Sequence, residues 1–230
     1  MRRAVMLALI LAMLVLPVQA AEKKYVALTF DDGPAGKYTE TLLDGLQLRG
    51  VKATFLLCGY RMEQYPGLAQ RIFDEGHEIG YHGFSHKNMQ NMSRRTIAQE
   101  LMDSRALMPE DCDPVFFRPP GGVVTDGVRQ VAQARNLAIL SWSVDPRDWA
   151  TSSEAEVENA VLRKVKDGDI ILLHDMTYSS VRAALDIVDA LQEQDYRFVT
   201  ASELARLRKT PVRPGKSYTA FPPDLAKEMK

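Results

Sequence analysis

The sequence predicts an α/β fold, a βα barrel of about seven strands in a single domain. Short apolar runs alternate with amphipathic helical stretches along residues 25–207, the pattern of βαβ units and a parallel sheet. About seven such units in one domain suit a closed or curled sheet better than a flat one. In such a barrel, reactive side chains gather where strands end and loops begin. The residues that carry chemistry in this chain fall at those points.

Residues 25–30 read as the first strand, followed by a helical pattern over 38–49. A second strand covers 53–57, and a helix over 65–75 is ended by Gly76. Residues 77–81 form a third short strand, after which Ser93 is placed to cap a helix reaching about Met108. A strand at 115–117 precedes a helix that Thr125 caps and that runs to Ala134. Strand 137–142 leads to a helix capped by Ser152 or Ser153 and continuing through Val165. Strand 169–173, helix 181–192, strand 197–200 and helix 201–207 complete the series. Residues 209–230 are polar, carry Pro211, Pro214, Pro222 and Pro223, and are expected to be extended or poorly ordered.

The domain reading is a signal peptide at 1–20, a working domain at 21–208 and a polar C-terminal tail at 209–230. Arg2 and Arg3 precede an apolar run over 4–16, and Val18 and Ala20 stand at the small-residue positions of a cleavage site. The run is short for a membrane span, which needs about 20 residues. Export with cleavage after Ala20 or Ala21 is expected, with an uncleaved anchor as the alternative; either way the domain works in the cell envelope or as a secreted protein. Without Arg2 and Arg3, 27 basic residues face 30 acidic ones, a net charge of −3. That balance excludes a nucleic-acid partner as a reading, and no stable membrane partner is expected. The two cysteines, Cys58 and Cys112, fit either a disulfide in an oxidising compartment or two buried thiols.

Three of the four histidines, an aspartate pair and an arginine cluster into four short stretches. His82 and His86 are four apart, and a turn of helix over 80–87 would put them on one face. Two imidazoles with a carboxylate make an open metal triad, and Asp32 is the third ligand of choice. The pair Asp31–Asp32 is costly without a cation, and its members can divide labour, one holding metal and the other acting on water. Taken alone, Asp-Asp-Gly-Pro could equally be a plain turn. Arg118, between two phenylalanines and two prolines, is placed to pair with a carboxylate. His174 ends an apolar strand, where a core role competes with a catalytic one. Asp145 and Asp148 follow the 137–142 strand, and either could orient a histidine. Trp149 beside them is either an apolar platform for a sugar ring or acetyl methyl, or core.

Taken in order, these stretches resemble the polysaccharide deacetylase family, with its NodB homology domain (carbohydrate esterase family 4). Thr29-Phe30-Asp31-Asp32 matches the family's first motif, which implies Asp31 as base and Asp32 as metal ligand. His82 and His86 match the second as ligands, with Gly83 where the family has Ser or Thr. Arg118, Pro120 and Gly122 match the third, Gly121 standing where a tyrosine is usual; its position implies a backbone N–H for the oxyanion. Asp145, Asp148 and Trp149 match the fourth, and Leu172 and His174 the fifth, which implies His174 as the acid and Asp148 as its orienting partner.

The resemblance implies a distorted (β/α) barrel and one divalent metal ion, with zinc expected and cobalt, iron or manganese as alternatives. It implies hydrolysis of N-acetyl groups on an N-acetylglucosamine-containing polysaccharide, peptidoglycan or chitin-like; the chain is expected to act as a monomer. An O-acetyl esterase of the xylan type and an inactive carbohydrate-binding homologue are the other readings.

Overall fold

The computed structural model describes residues 23–225; the proposed signal peptide lies outside them. Eight strands form one sheet: β1 (Lys24–Asp31), β2 (Thr54–Leu57), β3 (Glu78–Tyr81), β4 (Phe116–Phe117), β5 (Ala138–Leu140), β6 (Ile170–His174), β7 (Tyr196–Phe198) and β8 (Ser217–Tyr218). Their order is β6-β1-β2-β3-β4-β5-β8, with β7 paired to the N-terminal half of β1. Every strand pairing is parallel. The sheet curls, and isolated bridges from Val144 to Ile171 and from Asp169 to Ala220 span the seam between its ends. This is the barrel that the alternating pattern predicts, distorted as the family resemblance implies.

Among the described residues there are eight α-helices: α1 (Lys37–Leu48), α2 (Gly59–Gln64), α3 (Pro66–Asp74), α4 (Arg94–Arg105), α5 (Asp126–Ala134), α6 (Glu154–Leu162), α7 (Tyr178–Gln192) and α8 (Ala201–Leu207). Side-chain oxygens of Ser93, Thr125, Ser153, Thr177 and Thr200 cap the N-termini of α4 to α8, satisfying amides that lack intrahelical partners. The cap choice left open between Ser152 and Ser153 falls on Ser153. Helix α2 is absent from the sequence reading; it is six residues long, too short to show a periodic apolar face.

Strand alternation sorts the side chains into two layers. Val26, Leu28 and Phe30 of β1 join the larger core between sheet and helices, together with Phe55, Phe117, Ile139, Ile171 and Leu173. Ala27, Leu56, Phe116, Ala138, Leu140 and Ile170 form the smaller core inside the curl. The parity that points Ala27 inward also points Thr29 and Asp31 inward, and by the same count Arg118 follows Phe116 and His174 follows Ile170. Pattern and chemistry are therefore one fact: the inner face is apolar at its base and reactive at its top.

The C-terminal tail departs from the expectation of an extended, poorly ordered segment. Strand β8 pairs with β5, and Tyr218 and Phe221, stacked with ring centroids 5.2 Å apart, are buried in the inner core. Two aromatic side chains outweigh the surrounding prolines and charges because each buries a large apolar area. Cys58 and Cys112 are both free and buried, which settles the cysteines as thiols. Burial pushes the Cys112 thiol up to about 11 and the Cys58 thiol higher still. Among the described residues, no helix is long and apolar enough to cross a membrane.

Candidate active site

A cleft of about 330 Å³ opens at the C-terminal ends of the strands, lined by Asp31, Asp32, His82, His86, Gly121, Gly122, Trp142, Asp145, Trp149, Leu172 and His174. Asp31 ends β1 and is almost fully buried. Alternation would turn the next residue away, yet Asp32 lies in the same cleft. Its backbone is left-handed, with φ of 74°, and this reversal lets two consecutive carboxylates share one site. A non-glycine residue holds that conformation only where its surroundings enforce it.

Asp32, His82 and His86 bring three ligand atoms within 4.8 Å of one another. Asp32 Oδ1 stands 3.2 Å from His82 Nε2 and 2.9 Å from His86 Nε2. Despite this closeness it is buried without a hydrogen-bond partner. The second nitrogen of His82 explains why. His82 Nδ1 lies 2.7 Å from the Arg118 carbonyl, which can only accept, so Nδ1 carries the proton and the neutral ring presents a lone pair at Nε2. When the His82 ring is neutral, its lone pair facing a buried carboxylate oxygen is unfavourable by itself and is what a divalent cation requires. The donor set therefore fits a metal ion. Burial disfavours a charged Asp32, but in metal-free protein the imidazoles of His82 and His86, in their protonated form, outweigh it by hydrogen bonding and charge and hold the carboxyl well below the usual carboxylate range. Asp32 in turn raises His86.

The helical turn expected over 80–87 is not present. Residues 82–87 form a loop in which Gly83 and His86 are left-handed, with φ of 81° and 57°. Two such residues in a row of four exclude a helix. The loop still unites the two imidazoles, with ring centroids 5.1 Å apart, by curvature rather than by helical periodicity.

Arg118 is fully buried and every bond it makes serves the site. Its Nη1 donates to Asp31 Oδ1 at 2.6 Å and to Thr29 Oγ1 at 3.0 Å, Nε donates to the Leu140 carbonyl at 2.8 Å, and Nη2 to the Ser141 carbonyl at 3.0 Å. Oδ1 of Asp31 is thus committed to Arg118, while Oδ2 lies 3.7 Å from His82 Nε2 and faces the ligand cluster. Across the cleft, His174 Nδ1 lies 2.8 Å from Asp148 Oδ1, and the His174 amide donates to Asp148 Oδ2 at 2.9 Å. Burial favours the neutral ring of His174, but the hydrogen bond and charge of Asp148, helped by Asp31 and Asp32, push it up to about 9.

The choice left open between Asp145 and Asp148 resolves on this geometry. Asp145 accepts from the Arg147 amide at 2.8 Å and lines the cleft; Asp148 alone grips the histidine. Trp149 is 61% exposed, so it is cleft wall and not core, with the Arg147 guanidinium 4.9 Å from its ring centroid. Gly121 has φ of 67° and open space where a Cβ would stand. Trp142 escaped the sequence reading. It lies against Gly122, where a Cβ would come within 2.6 Å of its ring, and 5.4 Å from the Arg118 guanidinium. Its place at the C-terminal end of an inward-facing strand was the available signal. The fourth histidine, His77, is core: its Nδ1 accepts from the Ala53 amide at 3.0 Å, and burial lowers it to about 4.

The polysaccharide deacetylase family model matches residues 19–140. The chain belongs to the polysaccharide deacetylase family. A peptidoglycan-N-acetylglucosamine deacetylase of Bacillus cereus is 38% identical over 192 residues, covering 81% of this chain and 90% of that one. The peptidoglycan-N-acetylmuramic acid deacetylase PdaC of Bacillus subtilis is 33% identical over 189 residues, and there the match takes in 81% of this chain but 40% of PdaC. Among solved structures, a family 4 acetyl xylan esterase from Clostridium thermocellum, in complex with a cobalt ion, superposes with a TM-score of 0.80 at 35% identity. That match covers 86% of this chain and all of the esterase. The family's fold and this barrel agree.

Proposed function

We propose that this member of the polysaccharide deacetylase family is an exported, metal-dependent hydrolase that removes N-acetyl groups from an N-acetylglucosamine-containing polymer, with bacterial peptidoglycan as the substrate class. The observation that carries metal dependence is the unpartnered Asp32 Oδ1 between two imidazole nitrogens. Asp32, His82 and His86 would hold the cation. When bound, it supplies Lewis acidity, polarising an acetyl carbonyl and making a water easier to deprotonate. Two histidines and a carboxylate suit zinc, with cobalt, iron and manganese open to the same donors.

The protein's own groups divide the remaining work. Asp31, its Oδ1 tied to Arg118, uses Oδ2 to take the proton of the attacking water. The backbone N–H at Gly121 donates to the oxygen that becomes negative as the carbonyl is attacked. His174, charged through its pairing with Asp148, gives its proton to the sugar nitrogen as the carbon–nitrogen bond breaks. Acetate and a free amine leave. Leu172 and Trp149 offer apolar surface to the acetyl methyl and the sugar ring. General acid and base help of this kind contributes about 10²–10⁴-fold each.

One observation favours a second reading: the solved structure that superposes at a TM-score of 0.80 and 35% identity is that of an acetyl xylan esterase. An ester needs less from His174, because an alkoxide leaves more readily than an amide nitrogen. Acetate release is the deciding measurement, on chelator-stripped protein reloaded with zinc, from N-acetylglucosamine oligomers, purified peptidoglycan and acetylated xylan. Zinc-restored release from the first two supports the proposal. Release from xylan alone replaces it with the esterase reading, and silence on all three with zinc bound points to an inactive carbohydrate-binding homologue.

A further inference from the structure

The histidine loop carries one ligand at each end and makes its turn through two left-handed residues, Gly83 and His86. Its backbone is held from two sides. The Gly83 and Phe84 carbonyls accept from the Gly59 and Tyr60 amides, each at 3.0 Å, at the start of α2. Two of the loop's own amides go to one side chain. Glu100 Oε2 accepts from the Phe84 amide at 2.8 Å and the Ser85 amide at 2.7 Å, and Oε1 accepts from Ser85 Oγ at 2.8 Å. Glu100 sits on α4, which Ile97 and Leu101 anchor in the core, so the carboxylate is presented by a rigid element. The approach is close: a Cβ at position 83 would stand 3.4 Å from Glu100 Oε2 and 2.9 Å from Met89 Cε.

We propose that Glu100 is the positioning residue of the metal site, fixing the backbone of residues 84–85 so that His86 presents its imidazole beside Asp32 and His82. It lies 14 residues beyond the second histidine, half-buried on a largely polar helix, three residues after Ile97 and beside Leu101 on the helix's inward side. A side chain with acceptor oxygens is what this place requires, because two adjacent amides and a hydroxyl donate to it and a cation cannot accept from an amide N–H. The hydroxyl side chain expected at position 83 is missing from this chain, and Glu100 supplies the loop with bonds from outside it. The inference rests on the metal-dependent reading.

The test is zinc affinity of the full chain, measured by competition with a chromophoric chelator, together with the visible spectrum of the cobalt-loaded protein and the unfolding midpoint of the metal-free protein. Loss of an outer partner of a metal ligand weakens binding by about 10–100-fold. Glu100→Ala is expected to lose zinc affinity on that scale and to alter the cobalt spectrum. Glu100→Gln, which keeps an oxygen for the two amides, should recover most of it. Ser85→Ala removes one bond from the loop side and should weaken zinc by about two- to tenfold, which keeps the test intact if Glu100→Ala fails to fold. Wild-type affinity in both Ser85→Ala and Glu100→Ala overturns the proposal, as does a Gln variant no better than Ala. A wild-type chain that binds no zinc would instead overturn the metal reading itself.

Discussion

Asp148 holds His174 at two points, one oxygen 2.8 Å from the ring Nδ1 and the other 2.9 Å from the backbone amide. The double grip fixes both the charge and the direction of the ring. With Nδ1–H committed to Asp148, Nε2 is the nitrogen left for the cleft. Asp148 is buried at 2% exposure, so its charge is little screened by water.

The first prediction follows from that pair. In metal-free protein, His174 is raised from 6.5 to about 9. A protonated His174 thus stabilises the fold fully below pH 6.5, and the contribution is lost as pH rises toward 9. Asp148→Asn removes the charge while keeping the shape, and burial then acts unopposed by its strongest counterweight. Histidine NMR titration of the metal-free variant should show His174 titrating at lower pH than in wild type. The alkaline limb of the pH–activity profile should move the same way, since the acid loses its proton earlier. An unshifted limb in both measurements would remove His174 from the role of acid.

Arg118 gives a prediction about stability. It is a fully buried guanidinium with four oxygen partners, one of them the carboxylate of Asp31. Breaking a buried pair by removing one partner costs about 3–5 kcal/mol, because the other charge is left uncompensated. Arg118→Met should lower the urea-unfolding free energy by about that much and abolish activity. Arg118→Lys keeps the charge but cannot reach all four acceptors, and should fall between the two.

Much of this site is legible in the sequence because the inner face of a strand follows from parity. Asp31, Arg118 and His174 share a parity with apolar neighbours that fill the inner core, and each falls at a strand end. What parity cannot reach is the residue brought in by a turn. Asp32 and His86 enter the cleft through left-handed backbone, which no periodicity announces, and the histidine spacing that suggested a helix belongs to a loop instead. Glu100 and Trp142 act through contacts across many residues of chain, and the buried aromatic pair of the tail is hidden by its polar, proline-rich setting.

The division of labour in the cleft predicts separable losses. Asp31→Asn and His174→Ala leave Asp32, His82 and His86 in place, so zinc stoichiometry measured on the purified variants should stay at that of wild type. Their kcat should drop by about 10²–10⁴-fold or more. His86→Ala should lose both metal and activity. If Asp31→Asn and His174→Ala each keep wild-type kcat with zinc bound, the assignment of base and acid fails. On an ester substrate the His174→Ala loss should be smaller than on an amide, because the departing oxygen needs less protonation.

The C-terminal segment supplies the last prediction, and it tests the fold apart from the chemistry. Phe221 is completely buried, its amide donates to the Gly168 carbonyl at 2.7 Å, and its ring stacks on Tyr218 in the inner core. Truncating a buried phenylalanine to alanine costs about 3–5 kcal/mol, whereas removing a loose tail costs nothing. Phe221→Ala should therefore lower stability by about that amount in urea unfolding. Glu203→Ala, on the exposed side of α8, should change it by about 0.5 kcal/mol or less. Equal stability of the Phe221 variant and wild type would place residues 217–221 outside the cooperative unit. The measurement also bears on the site, because β8 pairs with β5, and the carbonyl of Leu140 at the end of β5 is one of the four oxygens that hold Arg118. Loosening the tail should reach the base through that carbonyl, as a fall in kcat larger than any change in zinc affinity.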